Sequence, residues 1–222
     1  MKTKEPIKLN FLFFTWNIIV SILSFIGFFY SFRIIYILNN NFTIKDTICN
    51  YKETSIFLED NNNISNMAVA SIYIYTSTKI LEWVDTLFLV LRKRNIIFLH
   101  WFHHLFTMIY CWHKLYYTVN YDLSGLYFAS VNLFVHAIMY MYYALKIKNI
   151  YIPSKISVCV TFFQLSQMFF GIYILILNLS CSNKINYDYK GLVMGILMYS
   201  VYLYEFGKIF IDSIKKIINK NK

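Results

Sequence analysis

The chain has 222 residues, 58% of them apolar and only 14% charged, with a mean hydropathy of +0.49 and a formal net charge of +10. A soluble domain runs at roughly 45–50% apolar and about 25% charged, so a cytosolic globule is excluded; 41 Phe and Tyr against six Gly and two Pro exclude collagen-like and disordered chains, and four Cys are too few for a disulfide scaffold. What remains is an all-α polytopic membrane protein, whose basic excess marks the ends of membrane spans rather than a nucleic-acid surface.

A bilayer core is crossed by about 20 mostly apolar residues in a helix, because every backbone polar group must be satisfied within the segment. Six stretches meet this, at 11–31, 67–91, 97–117, 124–145, 155–178 and 190–213. The first is too long for a secretory h-region and has no small-residue cleavage site after it. Between the first two spans lie 35 residues with the runs Asn39–Asn41 and Asn61–Asn63, the one sizeable loop.

Basic residues divide unevenly between the two sides. Thirteen fall on one (Lys2, Lys4, Lys8, Arg92, Lys93, Arg94, Lys146, Lys148, Lys155, Lys215, Lys216, Lys220, Lys222) and six on the other (Arg33, Lys45, Lys52, Lys114, Lys184, Lys190), which predicts both termini in the cytosol. The three N-x-[ST] sequons, at Asn41, Asn63 and Asn178, fall on the opposite, luminal side. Cys49 and Cys181 share that oxidising side, in different loops, and are either a disulfide or two free thiols.

Polar residues inside the spans carry the chemistry. Lys79, Glu82 and Asp85 in span two, each costing about 2.5–3.5 kcal/mol near a bilayer centre, share with Thr86 an arc of roughly 120°. They face a bundle interior, either as an ion pair that holds helices together or as a site. Span three opens with His100, His103 and His104 on an arc of about 100°, suited to metal ligation or to acyl and proton chemistry by imidazole. Span four carries Asn132, His136, Met139, Tyr140 and Tyr143 on one face, and span five Thr161, Gln164 and Gln167 three apart. Four consecutive polar stripes describe one chamber inside a bundle, with enough apolar wall to hold a lipid chain.

The ordered set Lys79-x-x-Glu82-x-x-Asp85-Thr86, His100-x-x-His103-His104, Asn132-x-x-x-His136-x-x-Met139-Tyr140-x-Tyr142-Tyr143 and Thr161-x-x-Gln164-x-x-Gln167 resembles the ELO-type very-long-chain fatty acid elongases. The resemblance runs from about residue 5 onward, and Trp101 after the first His is similar to the branch acting on saturated and monounsaturated chains. It implies a 3-ketoacyl-CoA synthase of the endoplasmic reticulum that condenses a long-chain acyl-CoA with malonyl-CoA, releasing CO2 and CoA, without cofactor or metal. It further implies membrane lipid as surroundings, and as partners the ketoacyl reductase, dehydratase and enoyl reductase of the cycle and a second copy of the chain in a homodimer.

By the same resemblance His103 is the acyl acceptor and His136 faces it. His100 and His104 orient or relay protons, Asn132 and Tyr140 stabilise an enolate, Glu82 and Asp85 fix imidazole tautomers, and Lys79 pairs with them. CoA phosphates belong at the basic cytosolic mouth, where Arg92, Lys93 and Arg94 are candidates beside a pure topology role. The family usually has seven spans, so a single domain over 1–222 lacking the first span is expected. Glu205 and Lys208 in span six read as an intramembrane pair near the tail end of the acyl channel. Two other functions compete. A di-iron desaturase or hydroxylase also carries an HxxHH box but needs about eight imidazoles where the chain has five, and a lipid transporter or non-catalytic subunit should show repeated halves, which the sequence does not.

Overall fold

The computed structural model describes residues 9–50, 54, 56–57, 62–120, 123–181 and 187–220. Lys2, Lys4, Lys8, Lys52, Lys184 and Lys222 of the charge count lie outside them. The described residues form helices joined by short turns and contain no strand. In chain order they are α1 Asn10–Asn41, α2 Ile44–Cys49, α3 Asn62–Leu81, α4 Trp83–Leu91, α5 Phe98–Asn120, α6 Ser124–Ile147, α7 Ser154–Leu179 and α8 Tyr189–Lys220.

Each predicted span is found as helix, the second divided into α3 and α4. Four, namely α1, α6, α7 and α8, are long and apolar enough to cross a membrane. The other two rods, α3 with α4 and α5, carry the charged and imidazole residues, which lower their hydropathy below that of their neighbours. Two features differ from expectation. The described part of the stretch after the first span is largely helical, because α1 continues ten residues past 31 and α2 follows. There Thr43 and Asp46 form a reciprocal capping box, with Thr43 Oγ1 accepting from Asp46 N at 3.1 Å and the Asp46 carboxylate accepting from Thr43 N at 3.2 Å. Span two is interrupted at Glu82, where the helix tightens and Asp85 N donates to Glu82 O at 3.1 Å.

The rods form a closed ring in the order α1, α6, α7, α8, α5, α3 and back to α1, with α6 also touching α3 and α5 across it. The α1–α6 seam is made by small residues: Ser21, Ser24, Gly27 and Ser31 are buried on one stripe, Ser21 donates to Ala137 O at 2.8 Å, and Leu133 lies against Gly27. Where both phases are apolar, such close backbone approach supplies the packing that hydrophobicity cannot.

The two ends of the ring differ. At one, Ile34, Leu38, Ala68, Ile72, Leu123 and Leu126 form one core and Ile48, Tyr127, Phe128, Ile174, Leu175 and Leu192 another. A disulfide joins Cys49, at the end of α2, to Cys181, just after α7, with Cα atoms 5.2 Å apart. Beside it Asp188 accepts from His113 at 2.9 Å and Lys114 at 3.3 Å. Asn178 is buried here, so its sequon is a poor glycan acceptor, whereas Asn41 and Asn63 are exposed. At the other end α4 and α6 both stop with a left-handed residue, Lys93 (φ 52°) and Asn149 (φ 56°), closed by bonds from Arg94 N to Leu89 O and from Ile150 N to Leu145 O. That end is open.

Candidate active site

Behind the open end lies a cavity of about 560 Å³, within the range of small-molecule sites. Its polar lining includes His100, His103, His104 and His136, and its mouth carries Arg92 and Lys146. Phe13, Leu89, Leu99, Val135, Phe206 and Ile209 supply apolar wall. At its inner end His103 and Gln167 also line a second cavity of about 20 Å³, room for a single water, walled by Tyr75, Tyr110, Phe128, Tyr199 and Tyr202.

The helix interruption places Glu82 at the centre. Its carboxylate, 1% exposed, accepts from Lys79 Nζ at 2.6 Å through Oε1, and the same oxygen lies 3.1 Å from His136 Nδ1. Its other oxygen lies 3.8 Å from His104 Nδ1, beyond hydrogen-bond reach, and both atoms are without a partner. Lys79, also 1% exposed, adds a bond of 2.7 Å to Asn132 Oδ1. A buried charge pair persists when further polar contacts satisfy it, and here α6 supplies them through Asn132 and His136. Because a carboxylate only accepts, His136 must carry its proton on Nδ1, which leaves Nε2 as a base.

One turn nearer the mouth, Asp85 accepts from Tyr140 OH and from Trp16 Nε1, the latter at 2.8 Å. His100 Nε2 lies 3.0 Å from Thr86 Oγ1. The His100 and His104 ring centres are 4.3 Å apart, and those of His103 and Tyr202 4.9 Å. Tyr202 is held by Thr107 at 2.8 Å and donates to His103 O at 3.2 Å. Ligand atoms of Glu82, His103 and His104 fall within 4.8 Å of one another, a spacing open to a metal, but Lys79 already places a cation on that carboxylate.

Residues 1–222 match the family described as ELO: GNS1/SUR4. The chain belongs to the GNS1/SUR4 family. It is 29% identical over 235 residues to "Fatty acid elongase 3" of Trypanosoma cruzi (strain CL Brener), covering 96% of the chain and 77% of that relative. With "Very long chain fatty acid elongase 4" of the same organism it shares 32% over 222 residues, covering 95% and 71%. With "Long chain fatty acid elongase 1" of Caenorhabditis elegans it shares 30% over 217 residues, covering 96% and 71%. It is accordingly a membrane enzyme of fatty acid elongation.

In this GNS1/SUR4 chain the four polar stripes converge. Thr161, Gln164, Gln167, Met139 and Tyr143 line the cavity with the imidazoles, and Gln164 lies 3.0 Å from Met139 Sδ. Several expectations change. Asp85 orients no imidazole, since its carboxylate is one helical turn past Glu82 and meets Tyr140 and Trp16 instead. Lys79 therefore pairs with Glu82 alone of the two. Tyr140 has committed its one proton to Asp85 and is no free enolate donor; Asn132 accepts from Lys79 through Oδ1, which leaves its Nδ2–H as the donating group, and it lines the small inner cavity rather than the main one. Of the basic triplet only Arg92 lines the cavity; Lys93 and Arg94 are exposed, because the left-handed turn at Lys93 carries the chain away. The Glu205–Lys208 pair, 3.8 Å apart on a partly exposed flank, brackets the cavity-lining Phe206 in the half of the ring that opens to Arg92 and Lys146, away from the inner end. Trp16 and Asn17 of α1 carry no sequence signal, since a lone Trp or Asn in an apolar helix has no period, and Lys146 of α6 figured only as a topology charge.

Proposed function

We propose that this elongase condenses a saturated or monounsaturated long-chain acyl-CoA with malonyl-CoA through an acyl-imidazole on His103. The observation that carries it is four imidazoles lining one chamber that is basic at its mouth, apolar along its wall and backed by a buried Lys79–Glu82 pair. In the first step a ring nitrogen of His103 attacks the thioester carbonyl. The C–N bond forms, the C–S bond breaks, and the sulfur takes the imidazole proton through Nε2 of His136, which Glu82 holds in the accepting tautomer, so that CoA leaves as the thiol. Arg92 and Lys146 receive the phosphates.

In the second step malonyl-CoA loses CO2, and the resulting enolate carbon attacks the acyl carbonyl. A C–C bond forms, the C–N bond breaks, and the leaving imidazole nitrogen takes up one proton from the mouth, so that His103 returns neutral with the 3-ketoacyl-CoA as product. His100 and His104 relay protons between mouth and centre, and burial shields the acyl-imidazole from water. The acyl tail runs past His103 and Gln167 into the inner cavity, whose tyrosine rings must swing to admit it. On this reading the chain sits in the endoplasmic reticulum with the Arg92 end and the C-terminus cytosolic and the disulfide luminal, beside the reductases and dehydratase that complete the cycle and a second copy of itself. The test is incorporation of label from radiolabelled malonyl-CoA with palmitoyl-CoA on membranes expressing the chain. Wild type should incorporate and His103→Ala, at equal abundance, should not; equal incorporation rejects the acyl-imidazole.

A further inference from the structure

Asn17 is 1% exposed and lines the main cavity. Its Nδ2 donates to Phe13 O at 2.7 Å, one turn back in α1. A carbonyl oxygen can only accept, so this bond fixes which way the carboxamide points, and Oδ1 is left turned away from the backbone. That oxygen has no partner in the protein. Buried acceptors are nearly always paired, and an apolar residue would fill the position in an apolar helix without leaving one orphaned. An orphaned acceptor on the wall of a cavity calls for a ligand that brings an N–H or O–H donor.

The depth of Asn17 identifies the donor. Its neighbour Trp16 is bonded to Asp85, seven residues and so about 10 Å of helix below Arg92 at the mouth. Glu82, which holds His136, lies one turn deeper still, about 5 Å. Asn17 thus stands between the basic mouth and His136, about a turn short of the level of Glu82. In an acyl-CoA the first hydrogen-bond donor on the CoA side of the thioester is the cysteamine amide N–H, three covalent bonds from the sulfur. Gln167, whose Oε1 is the other orphaned carboxamide oxygen on the cavity wall, also lines the inner cavity and so lies on the acyl side of His103.

We propose that Asn17 Oδ1 accepts a hydrogen bond from the pantetheine amide N–H adjacent to the thioester and so sets the depth at which the thioester carbonyl meets His103. This rests on the acyl-CoA reading above. Through it α1, whose cavity-lining residues Phe13 and Asn17 are neither acid, base nor nucleophile, becomes a substrate-positioning element.

The test is a coupling cycle on the purified full chain in micelles. Palmitoyl-CoA is compared with the analogue whose cysteamine amide N–H is replaced by an ester oxygen, in wild type and in Asn17→Leu. Wild type should prefer the amide by about 3–10-fold in kcat/KM, the worth of one hydrogen bond, and Asn17→Leu should lose that factor with the amide and nothing more with the ester. A loss that is equal for both substrates, or a wild type that does not discriminate between them, overturns the inference while leaving condensation intact. No condensation with either substrate in wild type overturns the inference together with the reading beneath it. Asn17→Ser serves as the second variant: a serine can return a bond to the carbonyl four residues back, as Ser200 does to Ile196 O at 2.7 Å, but is too short to reach the ligand. It should show the same loss of coupling in a helix that keeps its backbone bond.

Discussion

Substituting Glu82 by Gln removes one charge from the middle of the ring and leaves the Lys79 ammonium buried beside it. Breaking a buried pair from one side costs about 3–5 kcal/mol, since the surviving charge has neither solvent nor counter-ion. Lys79 keeps its 2.7 Å bond to Asn132 Oδ1, which puts the cost toward the lower figure, about 3 kcal/mol. For a chain of this size each kcal/mol moves Tm by about 2–4 °C, so Glu82→Gln should melt roughly 6–12 °C below wild type. The double variant Lys79→Met, Glu82→Gln removes both charges and should regain most of that loss. Turnover should not return with it, because His136 would still lack the carboxylate that fixes its tautomer. Thermal unfolding in micelles, followed by retention of the monodisperse chromatographic peak, measures the first effect, and labelled malonyl-CoA incorporation the second. Equal Tm losses in the single and double variants, or a single variant within about 1 kcal/mol of wild type, would refute the buried-pair account.

Three further outcomes follow from the geometry. Arg92→Gln should raise KM for malonyl-CoA about tenfold, the worth of a charge-assisted bond to phosphate, while Lys93→Gly leaves KM unchanged and raises Tm slightly by relieving the left-handed turn; steady-state kinetics and melting of the two variants separate these. Cys49→Ser with Cys181→Ser should destabilise the fold by about 2–5 kcal/mol, and reductant should lower the Tm of wild type but not of that variant. Gly171→Ala should cost about 1–3 kcal/mol, because the new Cβ meets the Tyr199 ring that walls the inner cavity; unchanged Tm would show that the ring moves freely.

Helix positions were legible because a span must be long and apolar, and the six segments recur in the structure, the first running ten residues past its predicted end and the last seven. The site was legible to the extent that it is periodic: His100, His103 and His104 recur on one face, as do Lys79, Glu82 and Asp85, and a lipid-facing stripe of this kind would not insert. What periodicity leaves out is the direction of a bond between helices. Glu82 and Asp85 share a face, yet one turn of offset sends the first to imidazoles and the second to Tyr140 and Trp16. Arg92, Lys93 and Arg94 are consecutive, so in any helix they point three ways, and the turn at Lys93 decides that only the first faces the cavity. Asn17 is legible only once the bond to Phe13 O has used up one end of its amide.

The Lys79–Glu82–His136–Asn132 cluster is contributed by two rods, α3 with its junction to α4 on one side and α6 on the other, and neither can satisfy its own polar groups completely. Lys79 and Glu82 share a rod and can meet as soon as it forms, but the imidazole and carboxamide that complete them arrive with α6, translated only after α5. For an interval during synthesis the rod of α3 and α4 therefore sits in the membrane as an unfinished product, recognisable to whatever surveys membrane proteins for exposed charge. Substitutions in this cluster will change how much enzyme survives biosynthesis as well as how fast each copy works. A loss of elongation in cells carrying such a variant becomes a statement about chemistry only after the amount of protein has been measured.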